Sequence, residues 1–239
     1  VDGSVGAWGY ARGGMGAVTQ ALARSFEASG GTIRTDAEVA KILTRGGRTT
    51  GVVLANGDEV RADLVVSNAD VKRTFLKLVD EDALPGDFVH RVKHFKMRGS
   101  SGKVNIALDS LPEFPALPQG SNCIRGDMHF TDSIERMERG YDDWKAGRWS
   151  ADPFLDMMIP TLLDPTMTSP GKHFMSCFVQ YCPPKVEGRD WTDADRDAFA
   201  ETVISQIADY SPGFRDRIVH MEVRTPREIE NEVGLTEGN

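Results

Sequence analysis

Between Gly14 and Ser29 the large apolar residues Met15, Val18, Leu22 and Phe26 recur every three or four positions, with Ala17, Ala21 and Ala23 between them. That spacing puts them on one side of a helix and predicts a helix with a buried face, ended by Gly30-Gly31. The texture then becomes short and β-branched: residues 32–34, 38–44 and 49–55 read as strands, with Gly46-Gly47 separating the last two. Asn56-Gly57 offers two positive-φ positions for a tight hairpin turn, after which residues 59–61 and 62–66 complete an antiparallel ribbon that feeds a buried strand. Residues 70–79 read as a helix.

The pattern changes again near Leu84-Pro85-Gly86, which divides the chain into lobes over 1–84 and 85–239. In the second lobe, residues 103–108, 154–160 and 173–181 are strands joined by long polar connections. After Trp191, Thr192 and Asp195 form a capping-box pattern, and Phe199, Val203 and Ile207 repeat every fourth residue as far as Ser211-Pro212. This helix requires an apolar surface to lie on. Residues 218–225 alternate like a strand, and Pro226 opens a short helix at its first position. The class is therefore α/β with α+β character: a β-ribbon lobe followed by a lobe of mixed or antiparallel sheet and helices.

Charge narrows the chemistry. With 28 Lys and Arg against 36 Asp and Glu, the net charge of −8 repels a phosphate backbone, so no nucleic acid is expected as partner. No stretch approaches the roughly 20 apolar residues of a transmembrane segment. Cys123, Cys177 and Cys182 show no C-x-x-C spacing, which suits a reducing compartment: cytoplasmic in a bacterium, or the mitochondrial matrix in a eukaryote. The start, Val1-Asp2-Gly3, shows no signal or transit peptide.

Local motifs for chemistry are absent. His90 and His94 share a helical spacing, but Arg91, Lys93 and Lys96 surround them, and the pair reads as a solvated basic face rather than a metal site. Cys177 and Cys182 fall on opposite faces of a strand and read as core or edge thiols. The adjacent acids in Tyr141-Asp142-Asp143-Trp144 point about 100° apart on a helix and read as a solvated helix start. No G-x-G-x-x-G or G-x-S-x-G occurs. Arg12-Gly13-Gly14-Met15-Gly16 opens a helix without phosphate-loop spacing, and by pattern its glycines permit a tight turn and close helix approach.

The order of three segments carries more information than any one of them. The run from Arg12-Gly13-Gly14-Met15-Gly16 to Leu22, then Gly30-Gly31-Thr32-Ile33-Arg34 with Ala37-Glu38-Val39, and later Ala62-Asp63-Leu64-Val65-Val66-Ser67-Asn68-Ala69-Asp70, resembles the phytoene-desaturase-like FAD oxidoreductases. Leu163-Asp164-Pro165, Gly171-Lys172-His173 and Tyr210-Ser211-Pro212-Gly213-Phe214 extend the resemblance over most of the chain. It implies a two-lobe flavoprotein: a partial FAD-binding Rossmann-like lobe with a β-ribbon, then a substrate lobe. In that family an N-terminal βαβ unit and a C-terminal glycine-rich segment clasp FAD; neither is expected in this chain, so the intact protein would hold FAD and this chain alone would not.

The resemblance also implies cofactor-binding positions. Glu38 and Val39 would lie beside the adenine end, where backbone N–H and C=O groups read a ring edge. Ser67, Asn68 and Ala69 would sit near the nucleotide at the carboxyl end of a strand. Arg12, Gly13, Gly14 and Met15 would run close to the flavin ring or the substrate passage. For each of these, strand pairing or turn geometry alone is an equal explanation. The implied reaction is hydride or two-electron transfer from a hydrophobic small molecule, with Met157, Met158, Phe174 and Phe178 as candidate pocket residues and no acid or base assigned. The competing account is a non-enzymatic interaction or dimerisation module; an amine-oxidase-type specificity is a third. Uncovered apolar faces would favour a homodimer.

Overall fold

A computed structural model describes residues 9–118 and 120–239. The expectation about a leader, which rests on Val1-Asp2-Gly3, lies outside the described residues. Helix α1 (Met15–Ala28) follows the apolar spacing, yet none of its residues is buried, and Met15 and Leu22 are 76% and 65% exposed. The expected buried face is therefore an exposed apolar stripe. Periodicity specifies the chemistry of a helix face, whereas burial requires a surface opposite it.

Strands β1 (Val39–Arg45), β2 (Arg48–Leu54) and β3 (Glu59–Arg61) form an antiparallel sheet in that order. The two-residue hairpin with positive φ at both positions is made by Gly46 (57°) and Gly47 (74°), between the paired Arg45 and Arg48. At Asn56-Gly57 only Gly57 takes positive φ, and the Asn56 side-chain oxygen instead accepts the Asp58 amide at 3.0 Å. Two expected strands are missing. Residues 32–34 and 62–66 are irregular, with Leu64 and Val66 76% and 85% exposed. β-branched composition favours extended backbone, but a strand also needs a ladder partner, and beyond the Ala62 amide, which donates to the Thr50 carbonyl at 3.2 Å, no ladder continues along these segments among the described residues.

Asp70 caps α2 (Val71–Arg73), which widens into a π-helical turn over Thr74–Leu78. Helix α3 (Gly86–His94) follows, its Phe88 ring meeting Phe75 edge to face at 4.9 Å. His90 and His94 are exposed there, and no group of three His, Cys, Asp or Glu among the described residues is placed to hold a metal.

The second sheet contains β4 (Ser101–Leu108), β5 (Phe154–Met158), β6 (His173–Gln180) and β7 (Ile218–Arg224), all antiparallel neighbours in the order β5-β6-β4-β7. Between β4 and β5 lies α4 (Ile134–Lys145); between β6 and β7 lies α5 (Asp193–Tyr210); α6 (Pro226–Val233) closes the sequence of elements. Along β4, burial alternates without exception, with Gly102, Val104, Ile106 and Leu108 inward. Those residues join Leu155, Met157, Met175, Cys177 and Val179 in one core with Phe199, Val203 and Ile207 of α5. Gly102 allows the close approach: a Cβ there would lie 2.7 Å from the Phe199 ring.

The capping box of α5 forms as expected, and the Arg189 guanidinium grips Asp195 at 2.6 and 2.9 Å. That guanidinium, and then Thr192, holds the Asp195 carboxyl well below the ordinary carboxylate range. Tyr141-Asp142-Asp143-Trp144 is in the last turn of α4, not at a helix start; the cap is Ser133, which accepts the Arg136 amide. Asp142 and Asp143 are tolerated at that end by pairing with Lys145 (2.6 Å) and Arg148 (3.0 Å). Cys177 and Cys182 are buried in the core, and burial pushes the Cys177 thiol up to about 12, which leaves it unreactive. No helix among the described residues is long and apolar enough to cross a membrane.

Because Phe199 fills the junction of α5 with β4, Phe199→Ala should lower unfolding stability by about 3–5 kcal/mol, read as a reduced urea midpoint with unchanged slope.

Candidate functional site

The face of the second sheet opposite α5 is the more open one: Lys103, Asn105, Ala107, Asp156 and Met158 are half-buried there, Phe178 is exposed and Ser176 is buried. The register aligns Lys103 of β4, Phe178 of β6 and Asp156 of β5 across it, with Asn105 beside Ser176 and Met158, and Ala107 beside Phe174. Side chains alternate along a strand, so Phe154, Met158, Phe174 and Phe178 give this face apolar patches around Lys103 and Asp156. The four proposed pocket residues are thereby separated: Met158, Phe174 and Phe178 lie on the open face, whereas Met157 is fully buried on the other. Odd and even positions of β5 face opposite ways, a parity that pattern alone leaves unassigned to a side. Lys103 is half-buried, and burial lowers its ammonium below the usual lysine range against the opposing pull of Asp156.

The loop before α1 reaches this lobe. The Gly13 amide donates to Asp164 Oδ2 at 2.6 Å, across 151 positions of sequence. Asp164 Oδ1 accepts from the Thr166 amide (3.1 Å) and hydroxyl (2.5 Å), so both carboxylate oxygens are engaged. The Thr166 hydroxyl, then the Gly13 amide, with Arg12 adding positive charge, hold the Asp164 carboxyl below its ordinary value. Gly13 and Gly14 have φ of 84° and 78°, which a side chain would strain, so the glycine pair is required for the loop to turn here. Tyr10, Arg12 and the Leu163–Thr166 turn enclose a cleft of about 450 Å³. The Tyr10 phenol is raised by partial burial and then by the carboxylates of Asp127 and Asp156.

The other expected site residues have separate anchors. Glu38 accepts the Ala55 amide through its backbone oxygen at 2.8 Å, and Val39 pairs with Leu54. Beside them, residues 34–38 and 54–58 border a cleft of about 500 Å³. Ser67 shares a 2.8 Å hydroxyl hydrogen bond with Thr74, whose Oγ1 also donates to the Ala69 carbonyl at 3.1 Å; Asn68 is exposed. Asp70 then joins distant parts of the chain: Oδ1 accepts the Arg73 amide (2.8 Å), while Oδ2 accepts the Thr236 amide (3.0 Å) and hydroxyl (2.7 Å). Burial would raise the Asp70 carboxyl, but these hydrogen bonds outweigh it and hold it low.

The sequence profile described as flavin containing amine oxidoreductase matches residues 2–220. The chain belongs to that family. Pyridine nucleotide-disulfide oxidoreductase domain-containing protein 2 of Mus musculus is 35% identical over 100% of this chain and 42% of its own length. The neurosporene-forming phytoene desaturase of Cereibacter sphaeroides is 29% identical over 91% of the chain and 40% of its own length. An oxidoreductase structure from Methanosarcina mazei superposes with a TM-score of 0.56 at 18% identity, covering 90% of this chain and 43% of that one, a likeness of fold. The chain thus spans less than half the length of the relatives it matches, and it is phytoene-desaturase-like in sequence.

What is present fits the family's flavin on backbone terms. The cleft beside β1 offers the exposed Glu38 carboxylate, suited to hydroxyls and N–H donors, with Val39 next to it in the strand but outside the cleft lining, and the Gly13-Gly14 turn presents backbone free of Cβ atoms. The chain has no G-x-G-x-x-G to cradle a pyrophosphate. Sequence reasoning missed Asp164, Asp70, Tyr10, Lys103 and Asp156 as site-building residues. Asp164 and Asp70 carried local signals, the Asp-Pro turn of Asp164-Pro165-Thr166 and an Asp at the start of a helix.

Asp164→Ala should free the Gly13 loop, seen as a lost protection factor at the Gly13 amide with the core amides unchanged. The same release is expected in acid: a carboxyl depressed by folding stabilises above its unfolded value of about 3.9, and that contribution disappears as pH falls through the depressed value. Asp70→Ala should remove the α2 cap and the Thr236 tether together, costing about 0.5–2 kcal/mol for the cap alone in chemical denaturation.

Proposed function

We propose that the chain supplies the β-ribbon of a nucleotide-binding lobe and the substrate-facing sheet of an FAD-dependent oxidoreductase acting on a hydrophobic small molecule. The observation that carries this reading is the open face of β5-β6-β4-β7, with an apolar row at Met158, Phe174 and Phe178 and a glycine loop pinned to its lobe by Asp164. Membership of a flavin-containing family and similarity to a phytoene desaturase support it. The exposed stripe of α1, with Leu64 and Val66, is the surface on which the remainder of that lobe would rest.

In this reading Glu38 and Val39 hold the adenine end through main-chain groups, Ser67, Asn68 and Ala69 form the turn beside the nucleotide, and Arg12, Gly13, Gly14 and Met15 line the approach to the flavin ring. A bound flavin supplies the two-electron acceptor for hydride removal from the substrate. The aromatic and methionine side chains of the open face orient the substrate and exclude water. Lys103 places an amino group at the centre of that face, its charge disfavoured by burial and supported by Asp156.

The test is expression of the full gene, with visible absorption for flavin and product analysis for reaction type. Yellow protein is expected; a folded, colourless protein overturns the proposal. Replacing Met158 and Phe178 together by alanine should raise KM for the apolar substrate about tenfold or more while flavin content stays constant, since each side chain contributes about 1.5–3 kcal/mol of burial. An unchanged KM removes the open face from substrate binding.

A further inference from the structure

The chain carries net charge −8, yet one cleft of about 500 Å³ is lined by Lys72, Lys93, Lys96, Arg98, Lys145 and Lys185, with Glu237 as the acid. These cations come from sequence-remote segments: α2, the end of α3 and its exit, the end of α4, and the turn at residues 184–188. None is among the residues assigned above to flavin or substrate.

Part of this charge has a local explanation. Lys93, Lys145 and Lys185 pair with Glu81 (2.7 Å), Asp142 (2.6 Å) and Asp190 (3.2 Å). Lys93 and Lys145 also stand at helix C-termini, which attract cations. Lys72, Lys96 and Arg98 have no carboxylate within 4.0 Å among the described residues. Converging like charges repel one another, and solvent screens them less in a cleft than on an open surface.

The cleft is also partly ordered in advance. The Arg98 guanidinium lies 4.2 Å from the centre of the Trp144 ring, and the buried Trp144 is fixed by its own Nε1 donating to the Gly99 carbonyl at 3.0 Å. A guanidinium held this way loses little freedom on meeting an anion. Phe95, 55% exposed, supplies an apolar wall in the same cleft. Exposed ion pairs such as Lys93–Glu81 are weak, so their lysines are available to turn toward a stronger anion.

We propose that this cleft binds a small organic phosphate carrying at least two negative charges, its phosphate groups on Lys72, Lys96 and Arg98 and its organic part against Phe95. The convergence of cations from four sequence-remote segments on one cleft favours a small ligand that several of them reach at once. The proposal stands apart from the flavin reading, because it concerns other residues and is measured by binding.

The test is calorimetric titration of the full-length protein with inorganic pyrophosphate at low ionic strength, with orthophosphate as comparison. Pyrophosphate should bind more tightly than orthophosphate and weaken as salt rises. The double variant Lys72→Gln, Lys96→Gln should weaken it about tenfold or more, a loss of about 1.4 kcal/mol, while Lys172→Gln changes it less than about twofold. Arg98→Lys, which keeps the charge but not the planar stack on Trp144, should weaken it with unchanged melting temperature. No pyrophosphate heat, or equal affinity in the double variant, overturns the proposal. So does sedimentation with phosphatidylglycerol vesicles that depends on Lys72 and Lys96 without pyrophosphate binding, which would mark a membrane-facing patch. Loss of flavin absorbance in the double variant would assign these lysines to the flavin and equally end the claim of a second site.

Discussion

The alternation of β4 is the constraint on which the second lobe depends. One parity of this inner strand, Gly102, Val104, Ile106 and Leu108, is committed to α5, and hydrogen bonding fixes its register, without interruption along β6 and with one shift at Ala107/Leu108 along β7. Lys103, Asn105 and Ala107 are consequently displayed together on the other face. The core and the candidate substrate surface are two sides of one choice, so a slip of one residue would bury Lys103 against Phe199 and expose Val104.

Carboxylates then connect what the sheets leave separate. Asp164 fastens the glycine loop before α1 to the second lobe, and Asp70 caps α2 while fastening Thr236. Each uses both oxygens for backbone or hydroxyl donors and remains ionised because those donors favour the charged form. Such bonds position irregular segments without needing a strand partner. Segments lacking either device, such as residues 62–66, stay irregular and exposed.

Apolar and charged surfaces are distributed unevenly. Exposed apolar residues include a stripe along α1 and Leu64 and Val66 after β3, whereas Lys72, Lys96 and Arg98 meet in one cleft. Apolar and basic surfaces therefore lie on different parts of a chain whose overall charge is acidic.

Local order was written in the sequence. The spacing of Met15 to Phe26 determined α1, Thr192 with Asp195 determined the start of α5, and short β-branched runs marked β1, β2, β4 and β7, because capping, period and propensity act over a few residues. The order of the glycine loop, Glu38-Val39 and Ser67-Asn68-Ala69 was enough to indicate the family. Tertiary structure alone decided which side of each pattern is covered: α1 is bare, Met157 is core while Met158 faces out, and 62–66 forms no strand. It also decided that Asp164 meets Gly13 and that four basic segments share one cleft. Burial and electrostatic convergence depend on distances between residues far apart in the chain, and no local rule encodes those distances.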